Sequence, residues 1–202
     1  MKILAVADIH GDKEFVRKLA NKARDENVDL VILAGDLTFW EQDLEGLIGP
    51  FKEVDKKVVI IPGNHETVAT VDFLAKLYSP GTYNIHGYAL KLDSIGLLGF
   101  GGARIGMFRV DEEQVLNSLL KSNEYLKGVK KKIMVVHMPP KGTKLDALGE
   151  YSTGSEAVRE AIERIKPDLC LCGHIHENGG LEDKLGNTRI INVAGRDVIL
   201  EI

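Results

Sequence analysis

Five short apolar runs constrain this chain more than any other feature. Residues 3–7, 30–34, 58–61, 133–136 and 169–172 are each almost wholly aliphatic, and each breaks off into a turn bearing Asp, Asn or His. A strand that buries one face alternates apolar with polar residues, so runs without alternation belong to strands covered on both faces. The turns that follow read Asp8-Ile9-His10-Gly11, Gly35-Asp36, Gly63-Asn64-His65-Glu66, His137-Met138-Pro139-Pro140 and Gly173-His174-Ile175-His176. Five strand ends with one chemistry point to a shared site.

Helical spacing separates the runs. Residues 13–26 carry Phe15, Val16, Leu19, Ala20 and Ala23 on one face behind Asp12, a candidate N-cap. Residues 41–54 read as a helix broken at Gly49-Pro50, and residues 68–77, 111–125 and 154–165 as further helices. Strands alternating with helices call for parallel neighbours joined by right-handed crossovers. The loops after such strands emerge on one edge, where open α/β sheets bind ligands. After Ser79-Pro80-Gly81 the spacing shortens, and residues 83–86, 88–92 and 95–100 read as antiparallel strands. Residues 127–132 form a basic, solvated turn, and residues 181–185, 188–193 and 198–202 a hairpin-like end around Gly186-Asn187. The expected fold class is α/β with mixed sheets, and residues 1–202 fit a single domain.

Composition narrows the function. A net charge of -4 offers no electrostatic footprint for a long nucleic acid, so a phosphate ligand would need local positive charge such as metal ions provide. The two cysteines, Cys170 and Cys172, allow neither a disulfide framework nor a four-thiolate zinc site and read as small core hydrophobes. No apolar stretch reaches membrane-span length and no signal-peptide pattern opens the chain, which makes cytoplasm the expected compartment.

The strand ends collect Asp8, His10, Asp36, Asn64, His65, His137, His174 and His176, which include five of the six histidines; His86 lies apart and reads as structural. Carboxylate, imidazole and amide oxygen without thiolate suit divalent Mn, Fe or Zn. Seven candidate ligands exceed the needs of one ion, and a carboxylate is the natural bridge between two, for which Asp36 is the candidate. The pairs Asp8-x-His10 and His174-x-His176 would each present two side chains on one side of an extended chain. Two divalent ions facing Asp8 and Asp36 leave a local charge of about +2, enough to hold a phosphoester. Ions about 3.5–4 Å apart can share an acidified water, giving a hydroxide for in-line attack at phosphorus. His65, beside Asn64, is the candidate to protonate the leaving group as general acid or to stabilise the transition-state charge. Glu66 receives no role.

These motifs together resemble those of the calcineurin-like metallophosphoesterases, in the same order and over residues 8–176. The resemblance implies a four-layer α/β/β/α sandwich of two mixed sheets. It implies a first metal held by Asp8, His10, Asp36 and His176, a second held by Asp36, Asn64, His137 and His174, and His65 as the catalytic histidine. One departure is Leu37-Thr38-Phe39-Trp40 after Gly35-Asp36, where protein serine/threonine phosphatases use an Arg on the phosphate; this argues against a protein phosphatase. The stretch from His137 to Asp146, with residues 154–157 and 173–177, is similar to the MPPED-type phosphodiesterase branch.

The expected activity is hydrolysis of a small phosphodiester such as a cyclic nucleotide. The alternatives are a phosphomonoesterase or nucleotide pyrophosphatase with the same centre, a repair-type nuclease, and a non-catalytic scaffold that keeps the fold. Arg104, in the glycine-rich stretch 99–104 expected to be a loop at the site rim, is a candidate for phosphate, and Trp40 for stacking on a base. Each has a plain structural rival: a solvated loop for Arg104, packing against a helix for Trp40. Lys141 follows a ligand motif and reads equally well as an exposed cation.

Overall fold

The computed structural model describes residues 1–149 and 151–202. Strands β1 (Lys2–Val6), β2 (Leu30–Ala34), β3 (Lys57–Ile61) and β4 (Thr82–Asn84) run parallel in one sheet, and β13 (Val198–Glu201) adds antiparallel to β1. The second sheet holds β6 (Ile95–Phe100), β7 (Lys131–Val136), β10 (Leu169–Cys172) and β12 (Thr188–Asn192), mutually parallel. Its edges are antiparallel, β5 (Ala89–Leu92) on one side and β11 (Glu182–Leu185) on the other. A small separate hairpin pairs β8 (Ala147–Leu148) with β9 (Tyr151–Ser152).

The missing alternation in the apolar runs has a direct cause. Ile3, Ala5, Ile32, Val59 and Ile61 point between the sheets, where they meet Leu97, Ile133, Val135, Leu171 and Ile191. Their neighbours Leu4, Val6, Val31, Leu33, Val58 and Ile60 point the other way, onto helices α1 (Lys13–Asp25), α2 (Gly49–Glu53) and α3 (Val68–Leu77). On the far side of the second sheet, Leu98, Met134, Val136, Cys170 and Cys172 pack under α4 (Glu112–Glu124) and α5 (Glu156–Ile165). The result is the expected α/β/β/α layering, with each fully buried aliphatic side chain contributing about 1.5–3 kcal/mol. Burial holds both thiols in their protonated form by raising their pKa values.

Capping sets the helix boundaries. Asp12, Thr67, Asp111 and Ser155 each accept a hydrogen bond from the backbone N–H three residues on, satisfying a donor that the first turn leaves free. Three expectations fail. The helix over 41–54 is confined to Gly49–Glu53: Trp40, Glu41, Asp43 and Gly46 take left-handed backbone, and Pro50 opens the helix instead of breaking it. Glu41 leaves the helical path to accept from Thr67 N (2.8 Å), Thr67 Oγ1 (2.7 Å) and Thr70 Oγ1 (2.5 Å), capping α3. The strand near residue 83 is β4, parallel to β3 in the first sheet and not part of an antiparallel meander. Residues 198–201 leave the β11–β12 hairpin altogether and pair with β1 across the molecule.

All five expected strand ends, those of β1, β2, β3, β7 and β10, open on one edge of the sandwich. Ala7 ties the two sheets there, donating to Val193 O (2.9 Å) and accepting from Gly195 N (2.9 Å). The loops approach so closely that side chains are excluded. A Cβ at Gly63 would stand 1.9 Å from Asp36 Oδ1, and one at Gly35, itself at φ +96°, would stand 2.4 Å from His137 Nδ1. Gly63→Ala is therefore expected to cost about 3 kcal/mol or more, the upper range for overpacking. Gly87→Ala, with open space but a left-handed φ of +72°, should cost only about 1 kcal/mol. Urea unfolding of both variants checks the contrast.

Candidate metal centre

The residues at the strand ends leave the sheets through sharp turns. Asp8 (φ 58°), His10 (φ 50°), Asp36 (φ 49°) and His174 (φ 71°) all adopt left-handed backbone. The two ligand pairs are therefore not carried by extended chain as their spacing suggested, and His176 begins a 3-10 turn. Non-glycine residues rarely occupy this region, and such strain persists where surrounding contacts over-determine it. Here His10 N donates to Asp36 O (2.9 Å), Asp8 N to Gly35 O (3.0 Å) and His174 N to Asp8 Oδ2 (3.0 Å).

Two groups of donor atoms result. Asp8 Oδ1 lies 3.2 Å from His176 Nε2 and 3.8 Å from His10 Nε2, and the two imidazole nitrogens are 3.2 Å apart. Asp36 Oδ2 lies 3.4 Å from His137 Nε2, which is 3.2 Å from Asn64 Oδ1. Asp36 Oδ2 also faces His10 Nε2 and His65 Nε2, each at 3.9 Å, so this one oxygen lies between the two groups. The His174 ring stands 5.1 Å from that of His137, outside the tight triads formed by the other histidines with Asp8 and Asp36.

The arrangement fits cations. His137 Nδ1 lies 3.0 Å from Ala34 O, a contact that calls for Nδ1–H and leaves the Nε2 lone pair pointing at Asn64 Oδ1 and Asp36 Oδ2. Three electron-rich atoms so close require a proton or a metal among them. Burial works against charge on His137, but Asp36 overrides it and raises the imidazole pKa to about 10. Asp36 is likewise buried, yet His137 and the His65 N–H hold its carboxyl well below the usual range. A bound cation would take the place of that proton.

Glu66, which the sequence left without a role, is wholly buried and joins two of the loops. Its Oε1 accepts from Gly63 N (2.8 Å) and Leu37 N (3.1 Å), and its Oε2 from Thr38 N (3.2 Å) and Thr38 Oγ1 (3.0 Å). Burial and the nearby Asp36 raise its pKa to about 7, against the pull of those N–H donors. A carboxylate directly after Asn64-His65 was the available signal, but nothing local says which loop it reaches.

The remaining expectations sort clearly. His86 is structural: its Nδ1 accepts from Gly101 N (3.0 Å), its ring packs on Phe100, and burial lowers its pKa to about 4. The glycine-rich stretch begins inside β6 and is tied down by Gly102 N donating to Pro62 O (3.1 Å). Trp40 packs on the His65 ring at 4.7 Å, with Phe39 at 5.3 Å from the same ring. Arg104 Nη2 donates to Thr153 O (3.0 Å), and Lys141 pairs with Glu156.

Two stacked mixed sheets whose ends converge on carboxylate, imidazole and amide donors define the architecture of a metal-dependent phosphoesterase. The chain belongs to the calcineurin-like phosphoesterase family, whose model matches residues 1–178. Members bind two divalent metals, for which the residue groups above are candidate ligands. The chain is similar to the UPF0046 protein K07C11.7 of Caenorhabditis elegans, 37% identical over 62 residues that cover 31% of this chain and 21% of that protein. Its fold is shared with TT1561 of Thermus thermophilus, with TM-score 0.76 and 21% identity over 95% of this chain and 88% of that one. It is shared too with a structure described as a dimetal phosphatase from Danio rerio, with TM-score 0.64 and 12% identity over 95% and 86%. No helix among the described residues is long and apolar enough to cross a membrane.

Substituting Glu66→Gln should test the loop junction. An amide must turn its NH2 toward N–H or O–H donors on one side, leaving buried groups unpaired at a cost of about 1–3 kcal/mol. The expected outcome is a lower midpoint in urea together with weaker metal retention through dialysis; unchanged values for both would exclude the role.

Proposed function

We propose that the protein is a dinuclear-metal phosphodiesterase acting on a small phosphodiester, in the manner of the MPPED-type branch and in a cytoplasmic setting. The observation that carries the reading is the single oxygen Asp36 Oδ2, which faces His137 in one donor group and His10 in the other. In this reading Asp8, His10, Asp36 and His176 hold one ion, and Asp36, Asn64, His137 and His174 hold the second. When bound, two divalent ions supply Lewis-acid charge to the phosphate oxygens and acidify the attacking water. Manganese, iron and zinc all suit the site, since the donors are oxygen and imidazole without thiolate.

The chain's own residues do the rest. As water oxygen bonds to phosphorus and the ester P–O bond breaks in line, the departing alkoxide oxygen must gain a proton. His65 is the group we assign to donate it. Its ring is set by contact with Trp40 and Phe39, since its buried Nδ1 has no hydrogen-bond partner. Trp40, a candidate for stacking on a base, also packs on this histidine. A diester is favoured over a monoester because a cleft beside the donors leaves room for a second substituent. The monoesterase remains the rival reading.

Steady-state rates with bis(p-nitrophenyl) phosphate and p-nitrophenyl phosphate, measured with Mn, Fe and Zn in turn, test the preference; a clear monoester preference would reverse it. His65→Ala should lower turnover by about 100-fold or more while metal content stays at the wild-type level. Because His65 Nε2 sits as close to Asp36 as His10 Nε2 does, loss of an ion in that variant would show that His65 is a ligand. Asp36→Asn should deplete both ions together, and elemental analysis showing only one lost would argue against a bridge.

A further inference from the structure

A cleft of about 620 Å3 runs from His174 and His176 to the β8–β9 hairpin. Its walls include Ile105, Met138, Leu148 and Ile175, and two of these are open to solvent, Ile105 at 61% and Leu148 at 39% of their surface. Arg104 is the one cation of the Lys or Arg type among the described lining residues, and one of its guanidinium nitrogens is bonded to the cleft wall itself. Its Nη2 donates to Thr153 O (3.0 Å) and Gly154 O (3.4 Å), and its Nε lies 4.0 Å from Glu112 Oε1. Glu177 adds negative charge at the same cleft.

The hairpin wall is firmly held. Buried Asp146 accepts from Gly142 N (2.9 Å) and Ser152 Oγ (2.6 Å) through Oδ2, and its carbonyl accepts from Thr153 N (3.0 Å). From the other side Asn178 Nδ2 donates to Leu145 O (3.0 Å) and Ala147 O (2.8 Å). Apolar surface exposed on a wall fixed by so many polar bonds is a preorganised face awaiting an apolar group.

We infer that this cleft is the subsite for an uncharged, apolar substituent of the phosphoester, an aryl or similarly bulky hydrocarbon group. The inference rests on the phosphoesterase reading, which supplies the phosphate end of the ligand. An aromatic ring seated against Ile105, Met138, Leu148 and Ile175 leaves water behind as it is covered. Arg104 braces the cleft wall through its bonds to Thr153 and Gly154.

Calorimetric titration of Mn-loaded protein with phenylphosphonate and methylphosphonate separates the ring from the phosphate-like head. Phenylphosphonate should bind about tenfold tighter or more, as expected for burial of an aromatic face. In the Ile105→Ser/Leu148→Ser variant that advantage should fall to about twofold while methylphosphonate binds as before; circular dichroism and metal content show whether the fold is kept. Ile105→Ser alone, at the more exposed position, should lower the ratio in the same direction if the pair disturbs folding. Equal affinity for the two phosphonates in the wild type, or a ratio untouched by the substitutions, overturns the subsite. Diester turnover combined with equal affinities would leave the phosphodiesterase reading standing without it. A retained preference for phenylphosphonate with no turnover of any ester would support the subsite and overturn the catalytic reading.

Discussion

The buried carboxylate of Glu66 determines how the edge of the sandwich is assembled. It gathers backbone N–H groups from Gly63 on one loop and from Leu37 and Thr38 on the next, so the Asp36 and Asn64 turns cannot move independently. A fully buried carboxylate is costly unless such donors meet it, and here the donors are the ones that irregular backbone at strand ends would otherwise leave unpaired. One group thereby satisfies two chains and fixes the distance between Asp36 Oδ2 and the side chains that face it. His65 N reinforces this by donating to the other Asp36 oxygen, Oδ1, at 2.9 Å.

Close approach is the second part of the same constraint. Gly35 and Gly63 lie where any Cβ would collide with His137 or Asp36, so the loops pack backbone against side chain without a spacer. The histidine rings are then locked by ordinary means: His137 against Ala34 O, and His65 against the Trp40 and Phe39 rings, which also touch each other. Left-handed backbone at Asp8, His10, Asp36 and His174 is the strain that accompanies this convergence. The core below, with aliphatic side chains on both faces of both sheets, supplies the stability that tolerates it.

Much of this was legible in the chain because the strongest signals are local. Unbroken apolar runs report strands buried on both sides, and Asp12, Thr67, Asp111 and Ser155 mark helix starts through bonds made within three residues. The polar strand ends were legible for the same reason, since parallel strands bring their following loops to one edge. What was not legible depends on distant partners. Nothing in residues 41–48 announces that Glu41 will cap a helix 26 residues away, nor in residues 198–201 that they pair with β1 and not with the adjacent hairpin. Glu66, Trp40 and Arg104 belong to the same class: their side-chain chemistry is plain, but whether each faces a ligand, a loop or a ring is decided by contacts made in three dimensions.

The donor groups draw on both layers of the sandwich, with Asp8, Asp36 and Asn64 following strands of the first sheet and His137, His174 and His176 following strands of the second. Besides the apolar filling between them, the sheets are joined at this edge by the Ala7 bonds to Val193 and Gly195, by His137 on Ala34 O, and by His174 N on Asp8 Oδ2. Ions bound across that seam, as proposed above, would act as rivets between two half-structures, since a ligand held only by the assembled form stabilises it in proportion to the logarithm of its free concentration. With the proposed ions in place, the resistance of this protein to unfolding would be coupled to the divalent metal supply of its surroundings, so that the same atoms would set both when it can work and how long it lasts.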